Sequence, residues 1–187
     1  MLTSSILLGL LLALVRRGDL RRLASLHFRW WWLIIGAFLL KFAVVRLSSE
    51  GVSWMATVGP ALHILVYALV LLPLILNWGL PGMRLVAAGT ALNFAVIVAN
   101  QGRMPVLETT MVLTGKAQTL DRLRAGSDAI HTVVTSETTL PWLSDWIPVP
   151  FPLASVVSPG DVLLAVGVIL LINTVTQPEY GRAMSQA

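Results

Sequence analysis

Cysteine is absent from the 187 residues. That removes disulfide staples, thiolate metal centres, iron–sulfur clusters and cysteine nucleophiles. Charge is scarce too: 12% of residues are Asp, Glu, Lys or Arg, about half the share of roughly 25% found in soluble globular domains. Also missing are H-E-x-x-H, G-x-S-x-G, a Walker-type phosphate loop and a dinucleotide fingerprint, which counts against the common hydrolase and nucleotide-dependent classes. There are three histidines, His27, His63 and His131. Only His63 falls inside an apolar run, so a bis-histidine haem is disfavoured and no cofactor is expected. No internal repeat or low-complexity block is present.

What the chain has is apolar side chains. Hydrophobic residues make up 56% of it and the mean hydropathy is +0.80, which marks an integral membrane protein. In lipid every backbone amide needs an internal partner, so an all-α polytopic fold is expected. The net charge of +4 and pI near 10.3 are read as topology and attraction to anionic lipid, not as nucleic-acid binding.

Five spans are expected, at about 2–15, 28–47, 54–77, 83–100 and 161–175. The first and last are short for a bilayer that asks for roughly 20 residues. Met1 to Val15 lacks the basic leader and small-residue cleavage pattern of a signal peptide and reads as a retained span. The cluster Arg16, Arg17, Arg21, Arg22 and Arg29 follows it, which places that loop, and with it the C-terminus, in the cytoplasm and the N-terminus outside. Trp30, Trp31 and Trp32 suit the cytoplasmic headgroup level. Lys41 lies about two turns from the outer end of the second span, where snorkelling to the interface outweighs an intramembrane functional role. His63 and Tyr67 share a face of the third span, and a hydrogen-bonded packing role is the favoured reading of His63.

Thr90, Asn93 and Asn100 put polar groups on the inner side of the fourth span. There the apolar run stops at Asn100-Gln101-Gly102-Arg103-Met104-Pro105. Residues 100–161 carry four basic and six acidic residues, a net of −2, against +6 for the rest. This asymmetry makes about 101–160 an extracytoplasmic cap. Leu113, Ala117 and Leu120 have amphipathic helical spacing. Residues 127–139 read as either an extended piece or a poor helix. The stretch from Leu140 to Pro152 has too many prolines for a span and too many apolar residues for a solvated loop. With Trp142, Trp146 and Phe151 it reads as interfacial or re-entrant. Ser158-Pro159-Gly160-Asp161 has the form of a helix start, with Ser158 as cap and Asp161 three positions on.

The polar groups expected at the outer face are Asn93, Asn100, Gln101, Arg103, His131, Asp145 and Asp161, and these are the candidate ligand-binding residues. Arg103 has two readings: it binds a lipid phosphate or a carboxylate, or it pairs with Glu108 or Asp161 and fixes the cap on the bundle. The second is favoured. His131 with Asp145 could orient a general base or join a metal site. Three separated singletons make that the weaker case, and no catalytic or metal residue is assigned.

Asn100-x-Gly102-x-Met104-Pro105, the segment around Asp145, and Ser158-x-Gly160-Asp161 together resemble the domain-of-unknown-function 5317 family of small bacterial membrane proteins. That family often has a glycine where this chain has Gln101. The resemblance implies membership and bacterial origin and brings no activity, substrate or catalytic residue. The expectation is therefore a non-enzymatic accessory or interaction protein of the bacterial plasma membrane. Its partners would be the bilayer, a protein or second copy of the chain, and an anionic lipid or small ligand at Arg103. The alternative is a small-molecule or lipid carrier using the polar face of the fourth span.

Overall fold

Long apolar runs bounded by glycine, proline and polar residues become helices at almost the expected places. In the computed structural model, which describes residues 2–149 and 154–180, they are α1 (Leu2–Val15), α3 (Trp31–Ser49), α4 (Met55–Leu76), α5 (Met83–Ala99) and α8 (Pro159–Val175), with a single helical turn, α2 (Arg21–Ala24), before α3. Of these, α3 and α4 are long and apolar enough to cross a membrane, whereas α1, α5 and α8 are shorter apolar helices. Apolar side chains also face outward, Leu39 being 65% and Phe42 69% exposed.

The fold is mostly helical, and between α5 and α8 the chain adds short strands to it. Two short helices, α6 (Glu108–Leu113) and α7 (Ala117–Arg124), are joined by β1 (Met104–Val106), β2 (His131–Val133), β3 (Ile147–Val149) and β4 (Ser155–Val157). β1 pairs in parallel with β2, setting Met104 opposite His131, and β3 pairs antiparallel with β4. Thus the 127–139 stretch is extended where it docks. Pro105 and Pro148 each remove one ladder donor at the middle of their strands. A small core of Val106, Met111, Leu120 and Leu123 holds this region together. Leu113, expected on the apolar face with Leu120, is 74% exposed instead, because α6 ends there and α7 starts a new axis. Pro150, Phe151 and Pro152 of the expected interfacial segment, and Arg182 of the expected tail, lie outside the described residues.

The bundle closes on α8. Its N-terminal half crosses α5 in an antiparallel register that puts Gly160 against Gly89 and Gly167 against Gly82. A Cβ on Gly160 would come within 2.6 Å of the Gly89 carbonyl oxygen, and one on Gly167 within 2.7 Å of that of Gly82. Glycines seven apart on both helices allow this approach, the small-residue packing used where apolar burial alone gives little drive between helices. The C-terminal half of α8 runs beside α1: Gly9 abuts Ile172 and Gly18 abuts Thr176.

The two ends of the bundle differ. At one, Arg22 Nη1 donates to the Gln177 carbonyl at 2.7 Å, and Asn77 exchanges two 2.9 Å hydrogen bonds with the Arg29 backbone. At the other sits the mixed α/β region, here called the cap.

Candidate functional site

The cap end of α5 carries the polar stripe. Asn93 is buried, and its amide is fully engaged by the start of α8: Nδ2 donates to Asp161 Oδ1 at 2.9 Å and Oδ1 accepts from Ser158 Oγ at 2.7 Å. Ser158 Oγ also accepts from the Asp161 amide at 3.0 Å, while Asp161 Oδ2 accepts from the Ser158 amide at 3.4 Å, completing a capping box. The expected helix start is therefore also a cross-link between two helices 65 and 68 residues apart in sequence.

About two turns beyond Asn93, Asn100 serves the cap. It donates to the Thr139 carbonyl at 2.8 Å and accepts from the Thr139 amide at 3.0 Å, while also bonding Val96 O at 2.8 Å. Gln101 (φ 58°) and Gly102 (φ 89°) then turn the chain through the left-handed region. The strain at Gln101 gives a physical reason for a glycine at that place. Gly102 lies directly on Pro60 of α4, where any side chain would overlap the Pro60 carbonyl. His63 Nδ1 sits 2.9 Å from the Gly102 carbonyl oxygen, so the packing role expected for His63 is the observed one.

Arg103 anchors, but to a different partner than expected. It makes no ion pair with Glu108 or Asp161; Nη2 donates to the Ala56 carbonyl near the start of α4 at 2.8 Å, and Nε is buried without a partner. Glu108 pairs with Arg124 and Asp161 with Asn93. Ser48 adds a third clamp, its hydroxyl accepting from the Ala129 amide at 3.1 Å and its carbonyl from Arg122 at 3.1 Å.

The remaining candidates form no shared hydrogen-bonded set. His131 Nδ1 lies 3.3 Å from Asp128 Oδ1, although His131 and Asp145 line one cavity of the cap. Burial opposes ionisation of Asp128. The hydrogen bond and charge of His131, with the amides of Ile130 and His131, prevail and hold its carboxyl at about 2. His131, Asp145 and Asp161 share no hydrogen bond, and among the described residues no three His, Asp or Glu side chains gather as a metal would need. Asp145 is different again. Burial, reinforced by the charge of Asp161 and only partly offset by Lys41 and Lys116, pushes its carboxyl up to about 8.

Sequence reasoning underrated Lys41. Its Nζ lies 5.5 Å above the Tyr67 ring, and a cavity of about 250 Å³ bounded by Phe38, Lys41, Tyr67, Thr90, Asp161 and Leu164 opens beside it. The signal was present: Ala37, Val44 and Ser48 form the buried face of α3, and Lys41 falls on that face at helical spacing.

These features define a class: a mostly helical protein with two helices able to cross a membrane and a small mixed cap bolted to one end of its bundle. The chain belongs to a family described as a family of unknown function, DUF5317, which it matches over residues 25–173. An uncharacterized protein of Thermotoga maritima is 33% identical over 118 residues, or 62% of this chain and 64% of the relative. The match thus spans less than two thirds of the relative's length. No solved structure matches.

Proposed function

We propose that the chain is a five-span protein of a bacterial plasma membrane, basic end in the cytoplasm and cap outside. In this reading it acts without catalysis, as an accessory or interaction protein that holds a preformed cap at the outer face. One observation carries the reading. The side chains of Asn93, Asn100 and Arg103 are spent on hydrogen bonds that tie the cap and α8 to α4 and α5. Polar side chains engaged in this way favour a rigid junction over an open path. The 14 residues of α1 and the 17 of α5 and α8 extend about 21 and 26 Å at 1.5 Å per residue. Flanking residues and local bilayer thinning supply the rest.

Topology and clamping have separate tests. In the cysteine-free background, Gln118→Cys on α7 should react with a membrane-impermeant maleimide in intact cells and Arg17→Cys should not; the reverse pattern overturns the orientation. Arg103→Ala should lower thermal stability in detergent and open the 101–158 region to protease. Unchanged stability together with lost binding of anionic lipid would overturn anchoring in favour of a ligand role for Arg103.

A carrier for lipid or a small molecule is the second reading. The cavity beside Lys41 and Asp161 favours it, and with Thr90 on its wall the path would run between α3, α4, α5 and α8. Lys41→Met should then strip co-purifying anionic lipid seen by native mass spectrometry. An unchanged lipid complement removes the carrier reading.

A further inference from the structure

Asp145 has no evident structural role for its side chain. Its backbone is pinned: the amide donates to the Pro105 carbonyl at 2.9 Å and the carbonyl accepts from the Leu107 amide at 2.8 Å, on either side of Val106. The carboxyl is different. Oδ1 is buried and has no hydrogen-bond partner, whereas Glu108, Asp128 and Asp161 each engage one. A buried acceptor left unpaired costs about 1–3 kcal/mol. A position that serves the fold alone would do better with an apolar side chain.

The carboxyl belongs to the wall of a cavity of about 260 Å³ inside the cap, shared with Lys116, Thr119, His131, Met111 and Leu123. A carboxyl and an ammonium group, Asp145 and Lys116, thus line one cavity together with the apolar side chains of Met111 and Leu123. A dianion would meet Asp145, a hydrocarbon would leave it unpaired, and a metal ion would lack ligands.

We propose that this cavity binds a small aliphatic α-amino acid, with its ammonium group on Asp145, its carboxylate toward Lys116 and Thr119, and its side chain against Met111 and Leu123. The site lies wholly within the cap and goes beyond the anchoring role. Failure of the amino-acid site would leave the protease and stability tests of the cap untouched.

Binding is coupled to one proton. Asp145 holds its proton up to about 8, so docking an ammonium group at neutral pH sends that proton to solvent and leaves a carboxylate–ammonium pair. The other charged groups acting here are Lys116 and His131 on the cavity wall, Asp128 paired with His131, and Asp161 and Lys41 below. Because only the ionised carboxyl takes the ligand, apparent affinity scales with its ionised fraction and rises more than tenfold from pH 6 to pH 8.

Calorimetric titration of the full chain in detergent micelles tests this with L-leucine, butylamine and 4-methylpentanoate. Leucine should bind best and more tightly at pH 8 than at pH 6. Asp145→Asn should weaken leucine at least tenfold, and Lys116→Ala should weaken leucine while sparing butylamine. Absence of leucine binding at millimolar concentration at both pH values, or wild-type affinity in Asp145→Asn, overturns the proposal. If Asp145→Asn yields no monodisperse protein, Lys116→Ala decides, since that residue is exposed; equal leucine affinity there also overturns it.

Discussion

The unpaired carboxyl of Asp145 makes stability depend on pH in a direction opposite to most aspartates. In the unfolded chain its proton leaves near the ordinary value of about 3.9. In the folded protein it stays until about 8. Between those values the folded state binds more protons than the unfolded one, so stability falls as pH rises. At about 1.4 kcal/mol per unit, the roughly four units separating the two states give an upper bound of about 6 kcal/mol, fully felt above pH 8. Asp145→Asn keeps the shape and has no proton to lose. It should therefore match the wild type near pH 4 and exceed it progressively from about pH 4 to pH 8, with a gain of several degrees in Tm by pH 9. Intrinsic tryptophan fluorescence during thermal unfolding in detergent is a suitable assay, because Trp142 and Trp146 flank the site and thiol dyes have no cysteine to report on. The quantity to read is the difference between variant and wild type at each pH, which cancels other titrating groups. A difference that is flat from pH 5 to pH 9, or one that favours the wild type at high pH, would refute the reasoning.

Three further substitutions probe the start of α8, its packing on α5 and an ion pair within the cap. Ser158→Ala removes the α8 cap and leaves Asn93 Oδ1 without its donor; a loss of about 2 kcal/mol is expected, read as a lower denaturation midpoint. Gly160→Ala drives a methyl group into Asn93 and the Gly89 carbonyl. It should cost about 2–3 kcal/mol and broaden the size-exclusion peak. Arg124→Gln breaks the ion pair with Glu108, where the arginine is 55% exposed; less than about 0.5 kcal/mol should be lost, and a large effect would mean that the pair does more than its exposure allows.

Much of the helical frame was legible because apolar runs have few alternatives. Ser158-Pro159-Gly160-Asp161 announced its helix through local chemistry, and the capping box is there. What sequence does not encode locally is who meets whom. Nothing near Asn93 names Ser158 and Asp161 as partners, and Arg103 ends on a backbone carbonyl, a partner that no side-chain pattern betrays. Strands of three residues with a central proline, Met104-Pro105-Val106 and Ile147-Pro148-Val149, fall below any alternation signal. They form because the surrounding segments hold them in register. Lys41 was misweighted by arguing from its distance to the helix end, when the buried face of Ala37, Val44 and Ser48 was the better guide.

The position of α8 between α5 and α1 also bears on the order of assembly. During synthesis α1 emerges first, yet the helix that abuts its Gly9 and Gly18 emerges more than 140 residues later. Until then α1 has no neighbour on that side and the glycine groove of α5 is unfilled. α8 is therefore the keystone of the bundle. A chain stalled before residue 159 would present both open faces at once.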